Sequence, residues 1–131
     1  MSAEALLEAG RSLVRTGNVG TSGNLSVRQG DGMLITPSGM PYDRLSGEDL
    51  VPVSADGKSG GTLKPSSEWR FHLAIYAARP EAGAVVHCHA PHATALACLG
   101  RAIPAFHYEV AFAGGKDIRC APYATFGTEA L

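Results

Sequence analysis

Leu25-Ser26-Val27-Arg28-Gln29-Gly30-Asp31-Gly32-Met33-Leu34-Ile35-Thr36 reads as two short strands folded back on each other. Leu25 to Arg28 alternates apolar and polar side chains, the period of a strand with one face against a core. Gln29-Gly30-Asp31-Gly32 supplies the hairpin turn, and Met33-Leu34-Ile35-Thr36 is the returning strand. Upstream, Gly20-Thr21-Ser22-Gly23-Asn24 is a small polar loop that feeds this strand and not a helix, which excludes a dinucleotide-binding βα turn. Before it, Ser2 to Thr16 predicts an amphipathic helix, with Leu6, Leu7, Leu13 and Val14 on one face, Gly17 as the stop and Gly10 as an awkward interior residue.

Downstream, Thr36-Pro37-Ser38-Gly39 is a second polar turn, and Ser46-Gly47-Glu48-Asp49 has capping-box spacing ahead of Leu50-Val51-Pro52-Val53. Lys64-Pro65-Ser66-Ser67-Glu68 opens a second helix. A serine serves as N-cap, Glu68 sits in the first turn, Trp69, Leu73 and Tyr76 form the apolar stripe, and Arg79-Pro80 is the stop. Gly83 to His89 is a strand whose apolar start predicts a central position. Ala90-Pro91 starts a third helix through Leu99; Ile103 to Tyr108 and Asp117 to Ala121 predict two more short strands, and Thr128 to Leu131 starts a fourth helix. The order α-β-β-β-α-β-α-β-β-α predicts an α/β fold, a three-layer α/β/α sandwich with a mostly antiparallel central sheet.

Composition narrows the class. The 131 residues fit one domain, and a net charge of -1 gives no electrostatic ground for nucleic acid or an anionic membrane. Apolar residues at 45% and charged residues at 18% are those of a globular chain. The 16 glycines and 8 prolines exceed the usual share and predict many tight turns. No apolar run reaches the ~18 residues of a membrane span, the start lacks signal-peptide character, and the three cysteines, an odd number, suit a reduced cytoplasm.

The chemistry concentrates in two places. His87-Cys88-His89 puts two imidazoles on one side of a strand, where they converge on a divalent metal such as zinc; Cys88 then faces the other way, as a buried apolar residue. For a third ligand the spacing leaves His92 and His107 open, whereas His72, on the stripe of the second helix, reads as structural. Ser66-Ser67-Glu68 sets two hydroxyls and first-turn N–H groups beside a carboxylate, a site for a phosphate with an acid or base next to it. Gly20 to Asn24 and Thr36 to Gly39 offer further donors to the same anion.

Four segments carry a resemblance: Gly20-Thr21-Ser22-Gly23-Asn24-Leu25-Ser26, Ile35-Thr36-Pro37-Ser38-Gly39, Pro65-Ser66-Ser67-Glu68-Trp69-Arg70-Phe71-His72 and Val85-Val86-His87-Cys88-His89. They resemble the class II aldolase/adducin family. His107-Tyr108, Ala113-Gly114-Gly115 and Cys120 to Thr128 are similar to its L-fuculose-1-phosphate aldolase branch. The resemblance implies a zinc-dependent aldolase that reversibly cleaves a ketose 1-phosphate to dihydroxyacetone phosphate and a hydroxyaldehyde, other divalent transition metals also being acceptable to imidazole. It implies His87 and His89 as metal ligands, Glu68 as catalytic residue and as a ligand in the substrate-free state, and Gly23, Asn24, Ser38, Gly39, Ser66 and Ser67 as the phosphate cradle. Tyr108 matches a tyrosine that protonates the aldehyde-derived oxygen from a neighbouring subunit, so the expectation is a cytoplasmic homotetramer. Phe126, like Tyr108, would otherwise read as a packing aromatic.

Other members of the scaffold set the alternatives: a sugar-phosphate 4-epimerase, a methylthioribulose-phosphate dehydratase, or a non-catalytic adducin-like interaction domain. The family's third metal histidine lies downstream of the Phe-Gly-Thr stretch, and the chain ends at Leu131 before any such segment. The expectation is therefore that residues 1–131 are the N-terminal portion of a single class II aldolase-type domain, truncated before that histidine.

Overall fold

The computed structural model describes residues 2–19 and 22–131. Gly20 and Thr21, in the first polar loop, lie outside the described residues. Helix α1 runs Ala3–Arg15, capped by Ser2, whose hydroxyl accepts from the Ala5 N–H at 3.2 Å. Leu6 and Leu7 are fully buried and Leu13 packs against the same core. Gly10 has a packing reason: the Tyr42 ring packs against the helix there, and any Cβ would collide with it.

The sheet holds β1 (Asn24–Gln29), β2 (Gly32–Ile35), β3 (Val51–Val53) and β4 (Ala84–His87) in the order β3-β2-β1-β4, with every pairing antiparallel. The hairpin forms with Ser26 opposite Ile35 and Val27 opposite Leu34. Alternation then sorts β1 between two layers. Leu25 and Val27 join Leu6, Leu7, Tyr42, Leu45 and Leu50 under α1. On the other face, helix α2 (Trp69–Ala78) lays Tyr76 against Met33, Ile35, Val51, Val53 and Val85. Sheet with a helix on each face gives the three layers expected. Ser46 and Asp49 form the capping box around a single 3-10 turn, Gly47–Asp49.

Several expectations are corrected. Strand β4 is an outer strand, not a central one: Val85 points into the core while Val86 is half exposed, so its apolar run covers one face only. Because the ladder ends at His87, Cys88 falls beyond it and is exposed instead of buried. Helix α2 begins at Trp69, which makes Glu68 the N-cap residue and leaves Ser66 and Ser67 in the preceding turn. Helix α3 (Pro91–Cys98) forms as expected but buries no residue. The two later strands reduce to a single bridge between Ile103 and Ile118, and Tyr108–Ala113 is a 3-10 helix. Both segments are largely exposed, and among the described residues neither joins the four-stranded sheet; Pro104, with no N–H to donate, stands directly beside the bridge. At Thr128 there is a turn closed by the Thr125 carbonyl in place of a fourth helix. Among the described residues no helix is long and apolar enough to cross a membrane.

Candidate functional site

Two proline-containing loops meet beside the start of β1. Ser66 N–H donates to the Thr36 carbonyl at 3.1 Å and Ser38 N–H to the Lys64 carbonyl at 3.0 Å, so Pro37 and Pro65 pair as a short bridge. Between these loops and the start of β1 lies a cavity of about 290 Å³. Its walls include Gly23, Asn24, Ser38, Gly39, Ser66, Ser67 and Glu68, so all six residues expected to cradle a phosphate converge with the expected catalytic carboxylate. His89 and Phe126 close one side. Gly127 stacks over Ser67, where an added Cβ would meet Ser67 Cβ at 3.6 Å.

Glu68 is tied down from two directions. Asn24, 4% exposed, donates from Nδ2 to Glu68 Oε2 at 2.6 Å, and the Glu68 N–H donates to Ser66 Oγ at 3.3 Å. Ser66 accepts in that bond, which leaves its own O–H free to donate into the cavity. The same Glu68 oxygen lies 2.8 Å from His87 Nδ1. The contact is close but off-line: His87 Nδ1 is buried and has no hydrogen bond of acceptable direction. The His87 and His89 ring centroids are 4.8 Å apart, and Phe71 meets His87 edge-on at 5.3 Å.

An orphaned imidazole nitrogen beside a carboxylate oxygen, with a second imidazole adjoining, suits a divalent cation by donor chemistry. His87, His89 and Glu68 therefore fit a metal as a partial donor set. Among the described residues no three His, Cys, Asp or Glu side chains already stand as a complete cluster. His92 is exposed on α3, and His107 is exposed with its Nδ1 accepting from Glu109 N–H at 3.4 Å; neither lines the cavity.

His72 is fully buried, its Nε2 2.6 Å from Asn24 Oδ1 and its Nδ1 2.7 Å from Ser26 Oγ. Burial, reinforced by the neighbouring His87, pushes its pKa down to about 3, so the ring is neutral. Tyr108 is 71% exposed and lines a separate hollow with Phe106 and His107, away from the cavity. Sequence reasoning passed over Met40 and Tyr42, which also line the cavity. Burial pushes the Tyr42 phenol up to about 12; the Thr36 hydroxyl nearby tempers the rise without forming a hydrogen bond of normal geometry, and the phenol oxygen stays unpaired. An aromatic so close to the Thr36-Pro37-Ser38-Gly39 turn was the available signal.

Residues 4–131 match the Class II Aldolase and Adducin N-terminal domain family. The chain belongs to that family. It is 60% identical over 127 residues to the 5-methylthioribulose-1-phosphate/5-deoxyribulose-1-phosphate aldolase of Rhodospirillum rubrum, covering 96% of this chain and 58% of that protein. It is 53% identical over 130 residues to the L-fuculose phosphate aldolase of Escherichia coli, covering 98% of this chain and 60% of the relative. Among solved structures, an L-fuculose 1-phosphate aldolase superposes with a TM-score of 0.93 at 43% identity, over 98% of this chain and 62% of that one. As a class II aldolase-type chain it thus spans about three-fifths of the length of these relatives.

Proposed function

We propose that this chain carries the phosphate and proton-transfer machinery of a metal-dependent aldolase. The enzyme would reversibly cleave a ketose 1-phosphate of the L-fuculose 1-phosphate type to dihydroxyacetone phosphate and a hydroxyaldehyde. The observation that carries this reading is Glu68 Oε2, held by Asn24 at the wall of the hydroxyl-lined cavity and 2.8 Å from the orphaned His87 Nδ1.

The Ser38, Ser66 and Ser67 hydroxyls and the adjoining Gly23 and Gly39 backbone hold the phosphate with neutral donors. Asn24 keeps one amide hydrogen for it, the other being committed to Glu68. That fixes the three-carbon end of the ketose and brings its reacting carbon to Glu68. On cleavage, Glu68 returns a proton to the carbon from which the C–C bond has broken; in the reverse direction it removes that proton. His87, His89 and Glu68 would hold the metal, zinc in first place, whose contribution when bound is Lewis-acid polarisation of the ketose carbonyl. Tyr108 moves the proton at the aldehyde-derived oxygen from a neighbouring subunit of a homo-oligomer, expected to be a tetramer; its exposure, with that of Phe106 and Phe112, leaves it available for such a contact. The same reading takes residues 1–131 as belonging to a single class II aldolase-type domain of a cytoplasmic protein.

The 60% identity to the Rhodospirillum rubrum protein favours a second substrate reading, 5-deoxyribulose 1-phosphate, which breaks the same kind of bond and releases the same three-carbon phosphate. Release of dihydroxyacetone phosphate from the two ketose phosphates, assayed side by side, decides between them by kcat/KM. A Glu68→Gln variant that cleaves either substrate as fast as the parent would remove Glu68 from the mechanism. Epimerised or dehydrated product without dihydroxyacetone phosphate would overturn the aldolase reading.

A further inference from the structure

Asn24 lies on β1 opposite His87, and it touches two residues of the second helical segment, Glu68 and His72, which are one turn apart. Its two amide atoms are not interchangeable there. The atom 2.6 Å from Glu68 Oε2 faces a carboxylate, which only accepts, so it is the amide nitrogen. The carbonyl oxygen is then left facing His72 Nε2 at 2.6 Å, and an oxygen that only accepts requires Nε2 to carry the hydrogen. In a neutral ring Nδ1 must then accept, and its partner at 2.7 Å is the Ser26 hydroxyl. With its hydrogen spent on His72, Ser26 Oγ accepts from the Tyr76 phenol at 2.8 Å. Every hydrogen in the row points the same way, from Tyr76 through Ser26, His72 and Asn24 to the carboxylate of Glu68.

We propose that His72 is a positioning residue for Glu68: its Nε2–H, held in that tautomer by Ser26, locks the Asn24 amide so that it donates to Glu68 Oε2. The opposite tautomer would turn a lone pair toward Asn24 Oδ1, favour a flipped amide, and set Asn24 oxygen against Glu68 oxygen. His72 does not itself line the cavity and reaches it through Asn24, which does. The role rests on the aldolase reading for what Glu68 does, but the orientation itself does not.

The test therefore has two independent arms. In the first, 15N NMR of the whole chain reads the His72 ring and the Asn24 side-chain amide. The expected result is hydrogen on Nε2 and none on Nδ1, with Asn24 amide protons widely split and slowly exchanging. His72→Gln, which returns an N–H near the Nε2 position, keeps the Asn24 pattern; His72→Asn, too short to reach, collapses it toward that of a free amide. Hydrogen on Nδ1, or an Asn24 pattern identical in both variants, overturns the proposal. In the second arm, retro-aldol kinetics with L-fuculose 1-phosphate and 5-deoxyribulose 1-phosphate show kcat lowered about tenfold in His72→Asn. KM stays within about twofold, and His72→Gln recovers most of the loss. Equal kcat in the two variants, or a loss confined to KM, overturns the positioning role. A parent protein without aldolase activity but with the expected Asn24 and His72 resonances sinks the reading of the reaction and leaves the orientation of Glu68 supported.

Discussion

The Gly23 α-carbon faces the His87 carbonyl so closely that a Cβ at position 23 would stand 2.8 Å from that oxygen. Gly23 also has φ of 94°, a conformation that costs an L side chain ~1–2 kcal/mol. The crowding and the backbone conformation act at the junction of β1 with the HxH segment. Gly23→Ala is therefore expected to lose about 2 kcal/mol or more of stability, read from urea unfolding midpoints. It should also lower turnover beyond that loss, because the shift is delivered to His87. A midpoint equal to the parent's would show that the junction relaxes freely.

Arg28 braces the far end of the same layer. Its guanidinium donates to the carbonyls of Ala82 at 2.9 Å, Tyr76 at 2.9 Å and Arg79 at 3.0 Å, and lies 4.6 Å over the Tyr76 ring. These bonds satisfy the C-terminal end of α2 and the turn that leads to β4. Arg28→Met should cost ~2–3 kcal/mol, and Arg28→Lys should restore little of it, because an ammonium lacks the planar fork that reaches three carbonyls. Thermal and urea unfolding of the two variants check this.

Acid weakens the fold through His72. The folded ring does not take a proton until about pH 3, whereas in the unfolded chain it does so near 6.5. Between those limits the unfolded state binds more protons, so stability present above pH ~6.5 is lost as pH falls toward 3, at up to ~1.4 kcal/mol per pH unit. Urea unfolding at a series of pH values should show a shallower decline for His72→Gln than for the parent. Parallel declines would mean that other groups dominate acid unfolding.

If His87 and His89 hold a metal, the metal stabilises the fold by mass action. Zinc titrated into the chelator-treated protein should raise the unfolding temperature by several degrees in the parent, and by much less in His87→Ala and His89→Ala. Elemental analysis after dialysis should rank the three proteins in the same order. A rise of the same size in all three would place the binding elsewhere.

How much of this was legible in sequence depends on the range over which each feature is determined. The first helix and the hairpin about Gly30 follow from neighbours a few residues apart, and both form where expected. The loops that line the cavity were legible because small polar residues with Gly and Pro specify turns directly. The row from Tyr76 to Glu68 was not, because Ser26 meets His72 across 46 positions of sequence and Asn24 meets Glu68 across 44. Only the docking of α2 on the sheet decides those contacts. The Ile103 and Ile118 segments misled for the opposite reason: their local pattern is that of strands, but they find only each other. Cys88 shows the limit of alternation, which predicts a side only while the ladder lasts.

The bridge between Pro37 and Pro65 has a further consequence. Two loops that would each sample many shapes alone are locked edge to edge by a pair of backbone bonds while the chain folds. The entropy of arranging Ser38, Ser66 and Ser67 is thus surrendered during folding and not at the moment of encounter. A ligand entering between them would meet loops already ordered, so less of that ordering cost falls on the binding step.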